Sequence, residues 1–288
     1  MNDHHFPTVK RLKKALFLFV FSGLIFTCVS AGSGQEKAAP KDSLRISAPD
    51  SSANSPRDEF VWRSLSNKAF GVGEKLVFII RWGPIHAGEA VMEIPEILTL
   101  HGRKVYRILS RAYTNRVFST FFKVRDQVES LMDVDGLFSW QFEKHLREGK
   151  FVANIKDVFN QKQHFVVSRR DTISVNPYIQ DVLSSLYFVR TQPLVVGESL
   201  AVDNYADNKV YQLEVKVLRK ERIKVNAGTF NCIVIEPILK STGIFQQKGK
   251  LTVWLTDDAR HLPVLMKSKV IVGSFVAELK NYKLGSIE

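Results

Sequence analysis

The sequence predicts a mainly β protein, an antiparallel sheet that curls into a barrel or half-barrel and carries one or two short helices. Three observations support this. From about residue 74 onward, apolar and polar residues alternate with period two, where an amphipathic helix would repeat every 3.6 residues. Turn-forming residues separate the alternating runs, as in Gly83-Pro84 and in Asp133-Val134-Asp135-Gly136. Only two segments show helical spacing. Many strands with so little helix bury their apolar faces by curling one sheet on itself.

In chain order, "EKLVFIIRW" (74–82) is β-branched and aromatic, and "GPIHAG" (83–88) turns it into "EAVMEI", a first hairpin. "RKVYRILSRAY" (103–113) places Val105, Arg107, Leu109 and Arg111 on one face and Tyr106, Ile108, Ser110 and Ala112 on the other. The alternation returns in "KVRDQVESLMD", and "LFSWQFEKHLREG", "KFVANIKDVF" and "QHFVVSRRD" continue the meander. Further strands are expected over 210–225, 229–239, 244–256 and 263–283, with Gly228 and Gly273 at tight turns or bulges. A helix is expected over 177–190. Asn176 would be its N-cap and Pro177 its first residue, with Ile179, Val182, Leu183 and Leu186 along one face. "NRVFSTFF" (115–122) reads as one or two helical turns, with Val117, Phe118, Phe121 and Phe122 as the apolar side.

The N-terminus defines the address. Lys10, Arg11, Lys13 and Lys14 precede an apolar run from Ala15 to about Val29, and Val29-Ser30-Ala31 has the small-x-small form of a cleavage site. Residues 1–31 therefore read as a signal peptide, and the protein as exported, periplasmic in a Gram-negative source. Two other fates share the same residues: a lipoprotein attached through Cys28, or an uncleaved membrane anchor. Ile25-Phe26-Thr27 is a poor approach to a lipidated cysteine. Cleavage leaves Cys232 alone, so no intramolecular disulfide can form and the fold must rest on a core. Residues 32–58 are polar, rich in Ser, Pro and Ala and free of aromatics, which describes a flexible leader. Residues 59–288 then form the exported β domain.

The whole chain has net charge +12, and loss of residues 1–31 leaves +9. An exported basic protein meets few nucleic acids; lipid head groups and cell-wall anions are its natural counter-charges.

Motifs of known chemistry are sparse. "VWLTDDARHLPVLM" (253–266) gathers Asp257, Asp258, Arg260 and His261, but adjacent carboxylates on a strand point to opposite faces, so the stretch reads as a hairpin turn. Arg260 would pair with either aspartate, and Pro263 would open the next strand. His86, His101, His145, His164 and His261 show no short metal-ligand spacing, and neither a metal nor a cofactor is expected. Cys232 in "GTFNCIVIEP" reads as a buried structural cysteine, and "KVLRKERIK" (216–224) as the exposed face of a long hairpin.

Together, "QDVLSSL" followed by "YFVR", then "VNAGTFNC", then "VWLTDDARHLPVLMKSKVIVGSFVAELKNY", resemble the signature segments of the bacterial exported domain of unknown function 3108 family. "IRWGPIHAGEAVMEI" and "FFKVRDQVESLMDVDGL" fit the same pattern, and the resemblance spans about residues 68–284. It implies an envelope location and a mostly β fold, and transfers no functional residue.

The leading expectation is a non-enzymatic envelope protein that holds a lipid, a lipid-linked glycan or another amphipathic ligand in its curved sheet. Phe118, Phe121, Phe122 and Trp140 would contact the apolar part, with Gln180, Asp181 and Arg190 as polar groups at the helix ends. Two alternatives stand beside it. One is an assembly protein that docks an envelope partner through a sheet edge or the 216–224 hairpin. The other is a cell-wall or lipid hydrolase using Asp257, Asp258 and His261.

Overall fold

The computed structural model describes residues 60–169, 171–240, 250–269 and 273–287. The signal segment 1–31 and the leader 32–58 lie outside them.

A single antiparallel sheet of fourteen strands organises the described chain. The first half runs β1 (Lys75–Trp82), β2 (Ile85–Leu100), β3 (Arg103–Thr114), β4 (Arg125–Asp133), β5 (Ser139–Glu148), β6 (Phe151–Asn160), β7 (Phe165–Ser168) and β8 (Asp171–Ser174). The second half runs β9 (Ser199–Ala206), β10 (Lys209–Val225), β11 (Gly228–Lys240), β12 (Lys250–Thr256), β13 (Pro263–Lys269) and β14 (Ser274–Lys283). Each half is an uninterrupted meander, and β1 pairs with β14 to join them, which leaves β8 and β9 as the two edges. The sheet is curled but not closed, and one helix, α1 (Val182–Arg190), connects the two edges in sequence.

Local chemistry explains the bends. β2 carries Pro95 where its register with β3 shifts between Glu93 and Glu96, so the missing N–H falls at a bulge. β10 and β11 shift register between Val217 and Arg219, and beyond them the hairpin folds back so that the Ala227 N–H donates to the Leu279 carbonyl at 3.0 Å. Asp207 and Asn208, both with positive φ, make the two-residue turn between β9 and β10. Gly228 and Gly273 do adopt positive φ, +137° and +85°, as their turn positions require.

The concave faces feed one continuous apolar cluster, with Leu76, Phe78 and Ile80 from β1 and Leu213, Val215 and Val217 from β10 among its members. On the outer side a small cluster of Val105, Leu131, Phe138 and Trp140 is covered by Trp62, whose ring stacks on Phe138 at 5.6 Å.

The helix differs from the expected 177–190. Tyr178 has φ +61°, Gln180 forms a parallel bridge with Asn204 of β9, and the Asn176 amide is used on Asp203 at 2.8 Å. The backbone before Asp181 is therefore committed to the sheet, and α1 begins only after it. The 115–122 segment contains a single 3-10 turn, Phe118–Thr120, and its apolar side is split: Phe118 and Phe122 are buried, Val117 and Phe121 exposed. The 263–283 stretch divides into β13 and β14, and the expected strand residues 244–249 lie outside the described residues.

One buried acidic pair makes the fold pH-sensitive. Asp126 of β4 and Glu148 of β5 are both buried, and Asp126 accepts the Arg147 N–H at 2.8 Å. Burial, with the neighbouring Asp126 charge, pushes the Glu148 carboxyl up to about 8. The folded chain thus keeps a proton that the unfolded chain releases near the ordinary carboxylate value. The contribution of this carboxyl to stability is full below that value and is lost as pH rises towards about 8. Glu148→Gln is expected to flatten this fall and to raise Tm at pH 8 by about 3 °C or more, read from melting curves across that range. An unchanged pH slope would show that the pair does not share a proton.

Candidate functional site

A nine-residue helix is marginal in isolation, so α1 owes its existence to what holds its ends. At the N-terminus, one carboxylate oxygen of Asp181 accepts the Leu183 and Ser184 N–H groups at 2.7 and 2.8 Å. The Asp181 N–H in turn donates to the Ser184 hydroxyl at 2.9 Å, which completes a capping box. The other oxygen accepts the hydroxyls of Ser130 on β4, at 2.6 Å, and Ser139 on β5. Asp181 is fully buried, and burial raises its carboxyl pKa against these four donors.

At the C-terminus, Arg190 donates two parallel bonds of 2.7 Å to the Glu74 carboxylate, with both side chains wholly out of solvent. A further bond reaches the Ala69 carbonyl at 3.2 Å, and the Arg190 carbonyl meets His261 Nδ1 at 2.8 Å. Arg190 keeps its charge because the attraction of Glu74 outweighs desolvation, and its position in the last turn suits the helix dipole.

Held at both ends, α1 lies across the concave side of the sheet, and a cavity of about 80 Å³ lies between them. By the same kind of measure one water needs about 10–15 Å³, so the space is several waters large. Its walls come from α1 (Leu183, Leu186, Val189), from β1–β3 and from β10–β14 (Val215, Val253, Met266). Pro237 explains why the sheet leaves room here. Pairing of β11 with β12 runs only from Cys232 to Ile235, and Pro237, lacking an N–H, follows that limit. Val182, Leu186 and Leu239 are the half-buried members of the lining and form its rim.

The deep wall has a polar spot. Asn204 donates to the Ser185 hydroxyl at 2.6 Å, and that hydroxyl donates to the Asp181 carbonyl at 2.7 Å. Ser110, fully buried on β3, faces the cavity with a hydroxyl that has no hydrogen-bond partner among the described residues. An orphan hydroxyl in an apolar cavity is costly unless something enters to satisfy it.

None of the seven residues singled out from sequence lines this cavity. Phe118 and Phe122 close the core beneath the β3–β4 connection, and Phe121 projects into solvent. Trp140 belongs to the outer cluster, its indole N–H on Asp133 at 3.0 Å. Gln180 donates to the Leu137 carbonyl at 2.6 Å; Asp181 and Arg190 fasten α1. The residues that do line the cavity come from ten elements, five from α1, three from β11 and one or two from each of eight other strands, so no single local motif announces them.

The 253–266 stretch is a hairpin, with residues 257–262 as the turn between β12 and β13. Asp258 accepts the Arg260 N–H at 2.9 Å and the Thr256 hydroxyl at 2.8 Å, while Asp257 pairs with Lys220 at 2.9 Å. The expected Arg260–aspartate pairing does not form; its guanidinium donates to the Gly285 carbonyl at 3.1 Å instead. Cys232 is buried, and burial raises its thiol to about 12, the state of an inert structural thiol. No group of His, Cys, Asp and Glu among the described residues could hold a metal ion.

Comparison with known proteins supports the fold. A β-barrel-like protein of domain of unknown function DUF1849 from Brucella abortus aligns with a TM-score of 0.56 at 10% identity, over 76% of this chain and 100% of that one. At such identity the likeness speaks for architecture alone. A protein described as exported, with a YmcC-like fold, from Bacteroides fragilis aligns at 11% identity over 77% of this chain and 100% of that one. One described as a lipoprotein, from Parabacteroides distasonis, aligns at 11% over 78% and 100%. Their TM-scores of 0.35 and 0.34 carry no argument. No curated protein matches. The sequence pattern of the family described as protein of unknown function (DUF3108) matches residues 77–280, and the chain belongs to that family.

Proposed function

We propose that this chain is an exported, non-enzymatic envelope protein that shelters one apolar chain of an amphipathic molecule between α1 and the concave sheet. The observation that carries the reading is the cavity, apolar on nearly every side and ending on the unpartnered Ser110 hydroxyl. Its volume selects the ligand. A cavity of about 80 Å³ with apolar walls suits a segment of single hydrocarbon chain better than a glycan. Met92 and Met266 in the lining can adjust to chains of different shape. Ser110 would meet a polar group of the ligand, such as an ester or a carboxyl. Export rests on the signal-like residues 1–31, and a basic chain suits an anionic envelope.

A dansyl-labelled fatty acid tests the reading. Saturable, blue-shifted emission that an unlabelled fatty acid displaces is the expected result. Emission that rises without saturation, or that resists displacement, would mean surface adsorption and no cavity site.

A further inference from the structure

We propose that the end of the sheet bearing the β1–β2, β3–β4 and β5–β6 connections is a docking face for an anionic lipid surface. The register places Trp82, Ile85, Thr114, Arg125, Glu148 and Phe151 at this one end. Hydrogen bonds hold the three connections together. Asn115 donates from its backbone to the Ala87 carbonyl at 2.9 Å and from its amide to the His86 carbonyl at 2.6 Å. The Gly149 N–H donates to the Lys123 carbonyl at 2.7 Å, and Val124 bridges to Glu148. Beneath them Phe118 packs edge-on to Trp82, and the Phe122 ring lies against Gly149.

On this rigid base the tips are apolar. Phe121 is 79% exposed, Val117 73%, Val152 64% and Ile85 49%. Singly exposed apolar residues need no explanation, but here they cluster at one end of the molecule. Around them stand Arg116, Lys123, Arg125, Arg147 and Lys150, all exposed. Within 82–88, 114–125 and 147–152 the one carboxylate is Glu148, which is buried. The Arg125 guanidinium is turned onto the Thr114 and Val124 carbonyls, at 3.0 and 2.6 Å, so its charge is not neutralised by an acid there.

Protruding apolar tips ringed by uncompensated cations match a membrane interface: the tips enter the acyl boundary, and the guanidinium and ammonium groups meet lipid phosphates. A protein partner would more readily use a concave or flat apolar surface, and these tips project. The end also adjoins the cavity, since Leu239 and Leu251, both in its lining, stand where β11 ends and β12 begins, at the same end of the sheet. Docking there would set the cavity beside its source of hydrocarbon chains. That last step rests on the proposed function; the docking does not.

Photocrosslinking tests the face in the protein as the cell exports it, so that any N-terminal attachment is the same throughout. With benzoylphenylalanine in place of Phe121, illumination on phosphatidylglycerol/phosphatidylcholine vesicles is expected to yield a lipid adduct by mass spectrometry. Charge reversal by Arg116→Glu with Lys150→Glu, or vesicles of phosphatidylcholine alone, should lower the yield about tenfold. The same probe in place of Thr229, exposed at the opposite end of the β10–β11 hairpin, should give no adduct. Equal yields at both positions, yields indifferent to lipid charge, or adducts to protein instead of lipid would overturn the proposal. The charge-reversed protein should still bind the dansyl fatty acid, which separates failure of the docking face from failure of the cavity reading.

Discussion

Replacing Arg190 by methionine is expected to cost about 3–5 kcal/mol, because it leaves the Glu74 carboxylate buried without its cation. The two side chains share two bonds of 2.7 Å and no solvent, and they join the end of α1 to the residue before β1. Tyr187 lies against the same pair, its ring centroid 5.0 Å from the Arg190 guanidinium, and a neutral hydroxyl there cannot replace the lost cation. Removing both charges, in Glu74→Leu with Arg190→Met, should restore most of the loss, since two well-packed apolar groups replace an ion pair of modest net value. Urea denaturation of the two single variants and the double variant forms the cycle. A double variant as unstable as Arg190→Met would mean that the pair is needed for geometry and not merely for charge balance.

Filling the cavity should abolish ligand binding without unfolding the protein. Val215 on β10 and Val253 on β12 are buried and line it. Phenylalanine at either position places a ring in space that is otherwise empty. Overpacking costs about 1–3 kcal/mol in a filled core, but here the added atoms gain contacts, so Tm should hold or rise. Affinity for the dansyl fatty acid is expected to fall at least tenfold, a loss of about 1.4 kcal/mol or more. Retained affinity in both variants, with Tm unchanged, would place the binding site elsewhere.

Much of the architecture can be read from the residues, and the exceptions have physical causes. β1 to β6 follow from alternation broken by turn chemistry, because each strand has one buried and one wetter face. β8 escapes because Asp171–Ser174 is four residues at an edge, with too little alternation to register. The helix start is misread because Asn176-Pro177 is a good local initiation signal, yet the backbone of Ile179 and Gln180 is bonded to Ser139 and Asp203. The Asp181-x-x-Ser184 spacing in the same stretch is the capping box that the structure uses, and it was the better clue. Arg190 is visible as a polar residue out of place on an apolar helix, but its partner Glu74 lies 116 residues away and nothing local points to it. The cavity is less legible still. It depends on where β11 parts from β12 after Ile235 and on how α1 is held, both of them consequences of the closed set of contacts and not of any motif.

The proposed site is the space between α1 and the sheet, and the proposed occupant is a hydrocarbon chain. Native mass spectrometry of the full chain purified without detergent, followed by organic extraction, measures it directly. A bound species of reproducible mass that carries a single long hydrocarbon chain is expected, absent from Val215→Phe prepared in the same way. A protein that stays at its apo mass even after incubation with envelope lipids would contradict it.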